Sequence, residues 1–430
     1  MKFCATTGLT RAFLTHFRIF NESQAWYYLQ TVEALLIGRL LLRAPSARKI
    51  HREMAQGSSI VTWYRCIKLI AETSFDYVEC VFQLHENGLV RMDQTGVFII
   101  DGHVIPHLGK HMEGVSKAYS SIEKHPILGL ETEMVHYWSP TMQFPVDYRI
   151  FLAESDLCIT RKKATFKTKN ELVREMIEAL IKRNVETDLY LLDAGLGVKD
   201  TLKVIIRYVK KYVTRPKKNF GVTFNHKYQF LTDLFEDIPI AEFQPATVKN
   251  PITKQQHVYS TAIRDVYMSG LGTQRLVFID ASLLPAEEEA DTKPTEELKT
   301  LTHRKFRVFM TNQLQWDAQE ILSRYSLRWT IETSFRDENQ NIGFHECKFC
   351  LYAHQKLFLG ITCLSYLFLA WARANPILRR FGDLDSTFGE VNFAFQHYCQ
   401  DEFYQYLDKI GAKTTCPDEL NCLKTILYNC

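Results

Sequence analysis

Three acidic side chains, widely separated in the sequence, stand where carboxylates could bind a metal ion. Asp101 follows the apolar run VFII, Asp193 follows the apolar run LYLL, and Glu332 lies within YSLRWTIETSFRDENQN at 325–341. An aspartate that ends an apolar strand is expected at the edge of the sheet, where α/β folds bind ligands. Three such carboxylates would suit Mg²⁺, which prefers hard oxygen ligands. Two such ions would stabilise the attacking and leaving oxygens of a phosphoryl displacement.

The stretch around Glu332 predicts a helix with one polar and one apolar face. Tyr325, Arg328 and Glu332 follow one another at i, i+3 and i+7, so they share one side of a helix. Arg336 and Asn339 continue this polar face. A simpler interpretation is a solvated face on which Arg328 and Glu332 form a weak intrahelical pair. For Asp193, the simpler interpretation is a turn or helix-capping residue.

The bulk properties describe a globular chain with no strong charge. The 430 residues are 46% hydrophobic and 23% charged, with a net charge of +3, so a nucleic-acid partner would need a local basic surface. Eleven cysteines without a recognisable secretion signal suggest reduced thiols and a cytoplasmic protein. The longest apolar run, 357–372, predicts a core helix and no membrane partner. No phosphate-binding glycine loop is seen, so no nucleotide cofactor is expected.

The elements that must position the acids form a mixed α/β arrangement. Residues before about 90 look helical, and a basic helix, a short turn at 57–59 and a second helix resemble a helix-turn-helix. Ser58 or Ser59 would cap the second helix, although any helical hairpin would look similar. One long helix is expected from about residue 316, with Asp317 as its N-cap. Buried or half-buried strands are predicted at 96–105, 128–139, 144–153, 187–195, 211–219 and 306–313.

The segments around the three acids resemble those of a known protein family. The chain is similar to the bacterial insertion-sequence transposases of the DDE class, in the IS four-like subgroup with a Tyr-Arg-Glu-Lys signature. Tyr325, Arg328 and Glu332 match that signature in order. NQLQWDAQEILSRYSLRW, FIIDGHVIPHLGKHMEGVSKAY and YVTRPKKN also resemble family segments, over roughly residues 95–375.

The resemblance implies an α/β fold with an RNase H-like catalytic core, a mixed sheet flanked by helices. The implied organisation is a helical N-terminal DNA-binding region at 1–92, the catalytic core at 93–219 and 306–380, a β-rich insertion at 220–305 and a C-terminal region of unknown role at 381–430. An acidic, proline-bearing surface loop is expected near the end of the insertion, in LPAEEEADTKPTEELK.

The resemblance also implies cut-and-paste transposition by a homodimer on double-stranded DNA, both transposon ends and target, in the cytoplasm at the nucleoid. Asp101, Asp193 and Glu332 would be catalytic and would bind Mg²⁺, for which Mn²⁺ would substitute. Tyr325 and Arg328 would hold a phosphate of the DNA end. The residues expected to contact DNA further are Arg336, Asn339, Arg215, Lys218 and Asn219.

Two departures from the family pattern stand out. The signature's lysine position holds Asn339, which cannot supply a charge to phosphate, although Arg336 one turn earlier could substitute. The segment after Asp193 is AGLG, which lacks the aromatic residue of many relatives. Two alternatives therefore stay open: a nuclease that cuts without joining, and a catalytically silent DNA-binding descendant. The presence of all three acids favours activity.

Two further groups of residues have both a functional interpretation and one of ordinary packing. FHECKFCLYAH, at 344–354, contains two cysteines and two histidines whose residue types suit zinc, with the C-terminal cysteines as further candidate ligands. Packing is the favoured interpretation, because a zinc site commonly pairs two such units at a distance. His103 shares a strand face with Asp101. It is expected to be a polar lining residue, with proton transfer as the alternative.

Overall fold

The computed structural model describes residues 8–18, 25–42, 46–54, 58–73, 75–107, 109, 112–119, 124–281, 305–373, 376–380 and 387–409. The expected acidic loop, at 284–299, and the C-terminal cysteines beyond residue 409 lie outside these ranges. Within them the chain forms one large mixed sheet flanked by helices, which is the α/β class expected from the sequence.

Within the described ranges, helices dominate the segments before and after the sheet. The first five precede the sheet, α6 to α9 interrupt it, and four follow the last strand. Their bounds are α1 Gly8–Leu14, α2 Ala25–Leu41, α3 Ala47–Met54, α4 Ile60–Thr73, α5 Tyr77–Glu86, α6 Leu157–Thr160, α7 Lys169–Lys182, α8 Lys199–Arg207, α9 Leu231–Glu236, α10 Ala318–Ser326, α11 Trp329–Ile342, α12 Tyr352–Ala372 and α13 Phe388–Lys409.

The described strands join into a single sheet. Their bounds are β1 Val97–Pro106, β2 Val115–Tyr119, β3 Pro126–Trp138, β4 Gln143–Ile150, β5 Leu189–Leu192, β6 Lys211–Thr214, β7 Gly221–Phe224, β8 Lys227–Phe230, β9 Gln244–Lys249, β10 Gln256–Met268, β11 Gly272–Asp280 and β12 Phe306–Thr311. The order is β2-β3-β1-β5-β6-β12-β11-β10-β7-β8, with β4 paired to β3 and β9 to β10. The strands within 220–305 therefore continue the sheet through β12.

The pairing of β1 fixes the neighbourhood of Asp101. β1 runs antiparallel to β3, with Asp101 opposite Met134 and Gly102 opposite Glu133. On its other side β1 runs parallel to β5, and the last described pair is Ile100 with Leu192. β5 ends at Leu192, whereas β1 continues to Pro106. The sheet therefore has an opening beside β1, beyond the carboxyl end of β5.

The apolar helix α12 lies at the centre of the helical layer. It packs against α2, α4, α5 and β4, and most of its side chains are buried. By length and composition it is the one helix in the described ranges that could cross a membrane, but 83% of its most apolar window is buried inside the protein. The prediction of a core helix agrees with this packing.

The N-terminal helices are part of the same packed structure. α3 and α4 form the expected helix pair, and Ser59 caps α4 by accepting a hydrogen bond from the Thr62 amide at 3.1 Å. α2 joins the helices to the core: Arg39 is buried, lies 3.7 Å from the Phe358 ring centroid and donates to the Ile342 carbonyl at 3.1 Å. Helices and sheet therefore share one hydrophobic core.

The prediction of one long helix from residue 316 is wrong. α10 ends at Ser326, and α11 begins at Trp329 after a turn at 327–328. The amides of Arg328 and Thr330 bond three residues back, to Tyr325 and Leu327, which is the tighter 3₁₀ pattern. The Thr330 hydroxyl also donates to the Leu327 carbonyl at 2.7 Å, so that carbonyl is satisfied locally.

The start of α10 agrees with the sequence. Asp317 is its N-cap, and its carboxylate accepts a hydrogen bond from the Glu320 amide at 2.7 Å. Loss of an N-cap side chain costs about 1 kcal/mol. We therefore expect Asp317→Ala to lower the free energy of unfolding by about that amount, measured by urea denaturation, and Asp317→Asn to retain most of it. Equal losses in both variants would show that the cap is not the source of the stability.

Candidate active site

Two aspartates follow the last paired residues of two adjacent parallel strands, Asp101 within β1 and Asp193 just after β5. Asp101 follows Ile100 on β1, and Asp193 follows Leu192 on β5, the residue paired with Ile100. The Gly102 amide donates to Asp101 Oδ1 at 2.9 Å. Asp193 Oδ1 accepts from the amides of Gly195 and Leu196 at 3.0 and 2.8 Å, so Asp193 is also a turn residue. The fold thus brings together two acids that lie far apart in the sequence.

Arg328 links the third acid to this pair. Its Nη1 donates to Asp101 Oδ2 and its Nη2 to Glu332 Oε1, each at 2.7 Å. The Arg328 side chain is 10% exposed and that of Asp101 is 16%, whereas Glu332 is 55% exposed. Arg328 sits in the turn between the two helices, and Glu332 lies in the first turn of α11. The helix break therefore orients Arg328 toward β1 while Glu332 stays accessible.

The charges at this site act strongly on one another. Burial raises the pKa of Asp101 to about 7; Arg328 opposes this shift, while Asp193 and Glu332 add to it. Burial alone would lower the pKa of Arg328, but the nearby Tyr325 and carboxylates outweigh burial and raise it. The guanidinium thus stays charged and offsets part of the negative charge.

These residues fit a divalent cation chemically. All three acids offer carboxylate oxygens, the ligand type that Mg²⁺ and Mn²⁺ prefer. The position between Asp101 and Glu332 already holds a cation, the guanidinium of Arg328. Within the described ranges no group of three or more His, Cys, Asp or Glu side chains is arranged to hold a metal directly. The three acids are therefore gathered around an internal positive charge.

Tyr325 lies beside the same arginine. It is buried in the last turn of α10, its ring centroid is 4.8 Å from that of Phe309, and burial raises its pKa to about 12. Its hydroxyl therefore keeps its proton at neutral pH. A cavity of about 80 Å³ opens here between the core and the β-rich strands; among its lining residues are Arg215, Asn250, His257, Tyr325, Arg328 and Trp329. Arg215, from the basic turn, thus joins the Tyr325 and Arg328 pair.

The other residues expected to contact DNA lie apart from this cavity. Arg336 is exposed on α11 and lines a separate cavity of about 430 Å³ together with Lys254 and Arg373. Lys218 and Asn219 are exposed in the turn after β6. Asn339 is half-buried, and among the described residues its amide oxygen has no hydrogen-bond partner. Asn339 is therefore poorly placed as a surface phosphate contact.

The cysteine and histidine segment does not form a zinc site in the described ranges. His345 Nε2 lies 2.9 Å from His103 Nε2, and the two rings stack. Cys347 is buried, whereas Cys350 is exposed. His103 also stacks on Phe335, and burial together with His345 lowers its pKa to about 3, so it is neutral. His103 is thus a packed lining residue, as expected.

A fourth acid close to the site escapes sequence reasoning. Glu133 on β3 is 1% exposed, and its pKa is raised to about 8, first by burial and then by Glu131, Asp101 and Asp193, against Lys169. In LETEMV, Glu131 and Glu133 alternate with other residues, which is the usual pattern of a strand with one solvated face. The only sequence signal for burial is the apolar run that follows.

The family of the chain follows from a match over most of its length. The model of the transposase DDE domain matches residues 94–368, and the chain belongs to this family. It is a DNA transposase, an enzyme of the class that cleaves DNA and transfers strands with divalent metal ions.

One solved structure is also similar. Piggybac transposase in a synaptic complex with hairpin DNA aligns with 10% identity and a TM-score of 0.47, over 99% of this chain and 82% of that chain. A likeness at this level carries no argument about individual residues. No curated protein matches the chain.

The raised pKa of Asp101 predicts a pH-dependent stability. Its folded pKa of about 7 exceeds the usual 3.8, so the folded state binds this proton more tightly and loses stability as pH rises between these values. Asp101→Asn removes the charge. In metal-free protein we expect the variant to be more stable than wild type by about 1–2 kcal/mol at about pH 8.

The measurement is chemical denaturation in EDTA across the pH range. The difference should shrink as the pH falls toward about 3, where Asp101 is mostly protonated in both the folded and the unfolded state. A variant that is less stable than wild type at high pH, with the same pH dependence, would contradict the assignment.

Proposed function

We propose that this transposase mobilises an insertion sequence of the IS four-like subgroup, by binding terminal inverted repeats and performing cut-and-paste transposition. The observation that supports this proposal is the meeting of Asp101, Asp193 and Glu332 around Arg328. Asp101 lies within β1, Asp193 directly follows β5 and Glu332 lies on α11, which is the chain order that the resemblance implies for the three acids.

Mg²⁺ is the proposed cofactor, with Mn²⁺ as a substitute. When bound, such ions activate the attacking oxygen and stabilise the leaving oxygen of a phosphoryl transfer. Asp101 and Asp193 would hold them from the sheet, and Glu332 from α11. Glu332 is the most exposed of the three, so it lies on the side from which DNA can approach. The sheet thus supplies the rigid side of the site and α11 its open side.

Arg328 has two competing uses in this proposal. In the metal-free chain it neutralises Asp101 and Glu332, and its Nε is buried without a hydrogen-bond partner among the described residues. A cation at the acids would repel the guanidinium and leave it available to a DNA-end phosphate. The protonated Tyr325 hydroxyl would donate to the same phosphate. Arg215 adds positive charge to the lining of the same cavity.

Further DNA contacts are proposed for the basic turn and the N-terminal helices. Lys218, Asn219 and Arg336 are exposed and would meet the DNA backbone, with Arg336 in place of the signature lysine that Asn339 replaces. The exposed residues of α4, which include Arg65 and Lys68, are the proposed contact of the N-terminal helix pair. We propose a homodimer acting on the nucleoid in the cytoplasm.

The first experiment is DNA cleavage. Purified protein and Mg²⁺ act on a plasmid that carries the gene with its native flanking DNA. We expect breaks at the flanks, and we expect Glu332→Gln to reduce their rate by at least about 10³-fold, since a lost carboxylate ligand removes several kcal/mol of transition-state stabilisation. Glu320→Gln, on the exposed face of α10, is the matched control and should cleave normally.

The products separate the alternatives. Joined products identify a transposase, and breaks without joining identify a nuclease. DNA binding without any cleavage, equal in wild type and Glu332→Gln, would leave the silent DNA-binding descendant as the better account.

The phosphate contacts predict the salt dependence of DNA binding. Each lysine or arginine that neutralises one phosphate contributes about 1 to the slope of log affinity against log salt. We expect Lys218→Ala and Arg336→Ala each to reduce the slope by about 1, measured by fluorescence anisotropy with a terminal-repeat duplex. Lys182→Ala, at the end of α7, should leave it unchanged. Unchanged slopes in both test variants would remove these residues from the DNA interface.

A further inference from the structure

Glu133 is a buried acid with an unused oxygen. It is 1% exposed, and among the described residues its Oε2 has no hydrogen-bond partner. A buried polar atom without a partner destabilises the folded state, because it loses its hydrogen bonds to water. Glu131, two residues earlier on the same face of β3, differs in this respect, because it forms an ion pair with Lys169. The two glutamates are therefore alike in sequence but unlike in their surroundings.

Gly102 is what allows Glu133 to lie where it does. The two residues are paired across β1 and β3, and a Cβ atom at Gly102 would lie 3.0 Å from Glu133 Oε2 and 3.3 Å from Oε1. The carboxylate thus covers the bare backbone of β1. The amide of the same glycine donates to Asp101 Oδ1. Gly102 therefore contacts both acids: the Glu133 carboxylate lies over its backbone, and its amide donates to the Asp101 carboxylate.

The two carboxylates approach from opposite faces of the sheet. Side chains alternate along a strand, so Asp101 and Gly102 point to different faces. Asp101 faces Arg328 and the helix pair, whereas Glu133 lies on the face of Lys169, the first residue of α7. The pairing of β1 with β5 ends at Ile100 and Leu192. Beyond this pair, the edge of β1 that faces β5 has no paired strand, and Asp193 follows Leu192 at this opening. Glu133 lies close enough to both aspartates to be affected by their charges.

We propose that Glu133 is a fourth carboxylate of the divalent-cation site, and that it reaches the cation position across Gly102 from the sheet face opposite Glu332. The inference rests on the proposed function of the triad and extends it. A cation at the opening beside β5 would satisfy the orphaned Oε2 and offset the repulsion among four acids. Glu332 would then close the site from the DNA side and Glu133 from the protein interior.

The test is Mn²⁺ binding to the full chain without DNA, by isothermal titration calorimetry after EDTA treatment. We expect Glu133→Gln to weaken Mn²⁺ affinity by about tenfold or more, as for other groups that support a metal site. Glu131→Gln, the matched control on the same strand face, should stay within about twofold of wild type. Asp101→Asn is the reference for loss of a triad ligand.

The outcomes distinguish the two levels of the proposal. Mn²⁺ binding that depends on Asp101 but is equal in wild type and Glu133→Gln would overturn the role of Glu133 and leave the triad. Absence of Asp101-dependent binding in wild type would overturn both. Melting temperature without metal serves as the folding check. The rise in melting temperature on adding Mn²⁺ is the second measurement, and it should be smaller in Glu133→Gln than in wild type but unchanged in Glu131→Gln.

Discussion

The bridge from Arg328 to Asp101 and Glu332 is the interaction on which the site depends. It joins β1, an interior strand of the sheet, to a helix that follows more than two hundred residues later in the chain. Without a cation, three carboxylates at this spacing would repel one another in a partly buried position. The guanidinium offsets that repulsion, so the acids can stay assembled without a metal ion. In the proposed function, a bound cation or DNA phosphate would displace the guanidinium from the acids, so assembly of the site would be coupled to binding.

The surrounding structure supports this bridge from two directions. The register of β1 against β3 and β5 places Asp101 beside Asp193 and opens a gap beyond Leu192. The buried helix α12 holds α2, and α2 places Arg39 at the Ile342 carbonyl where α11 ends. The N-terminal helices thus help to fix the end of the helix that carries Glu332. A movement of these helices on DNA binding would shift the end of α11, and with it Glu332, through the packing contacts of α2 and α12.

The sequence predicted the parts of the site that follow local rules. The apolar runs VFII and LYLL located Asp101 and Asp193, because a buried strand followed by an acid is a local pattern, although β1 continues past Asp101 to Pro106 and Asp193 is also a turn residue. The spacing from Tyr325 to Glu332 located the third acid but predicted one continuous helix. The break at 327–328 was not predictable, since it accompanies a tertiary ion pair of Arg328 and a local bond of Thr330. Glu133 was hidden for a similar reason: its burial depends on α7 and on its glycine neighbour across the strands.

The single sheet has a consequence for anyone who would shorten this protein. β12 pairs with β6 on one side and with β11 on the other, so it stands at the seam between the two halves of the sheet. Removal of the strands at 221–280 would leave β12 as an edge strand with an unpaired backbone and a largely apolar sequence, FRVFMT. Such edges promote aggregation. A minimal nuclease made by trimming the chain would therefore need a redesigned edge, with charged or proline residues in place of these apolar ones.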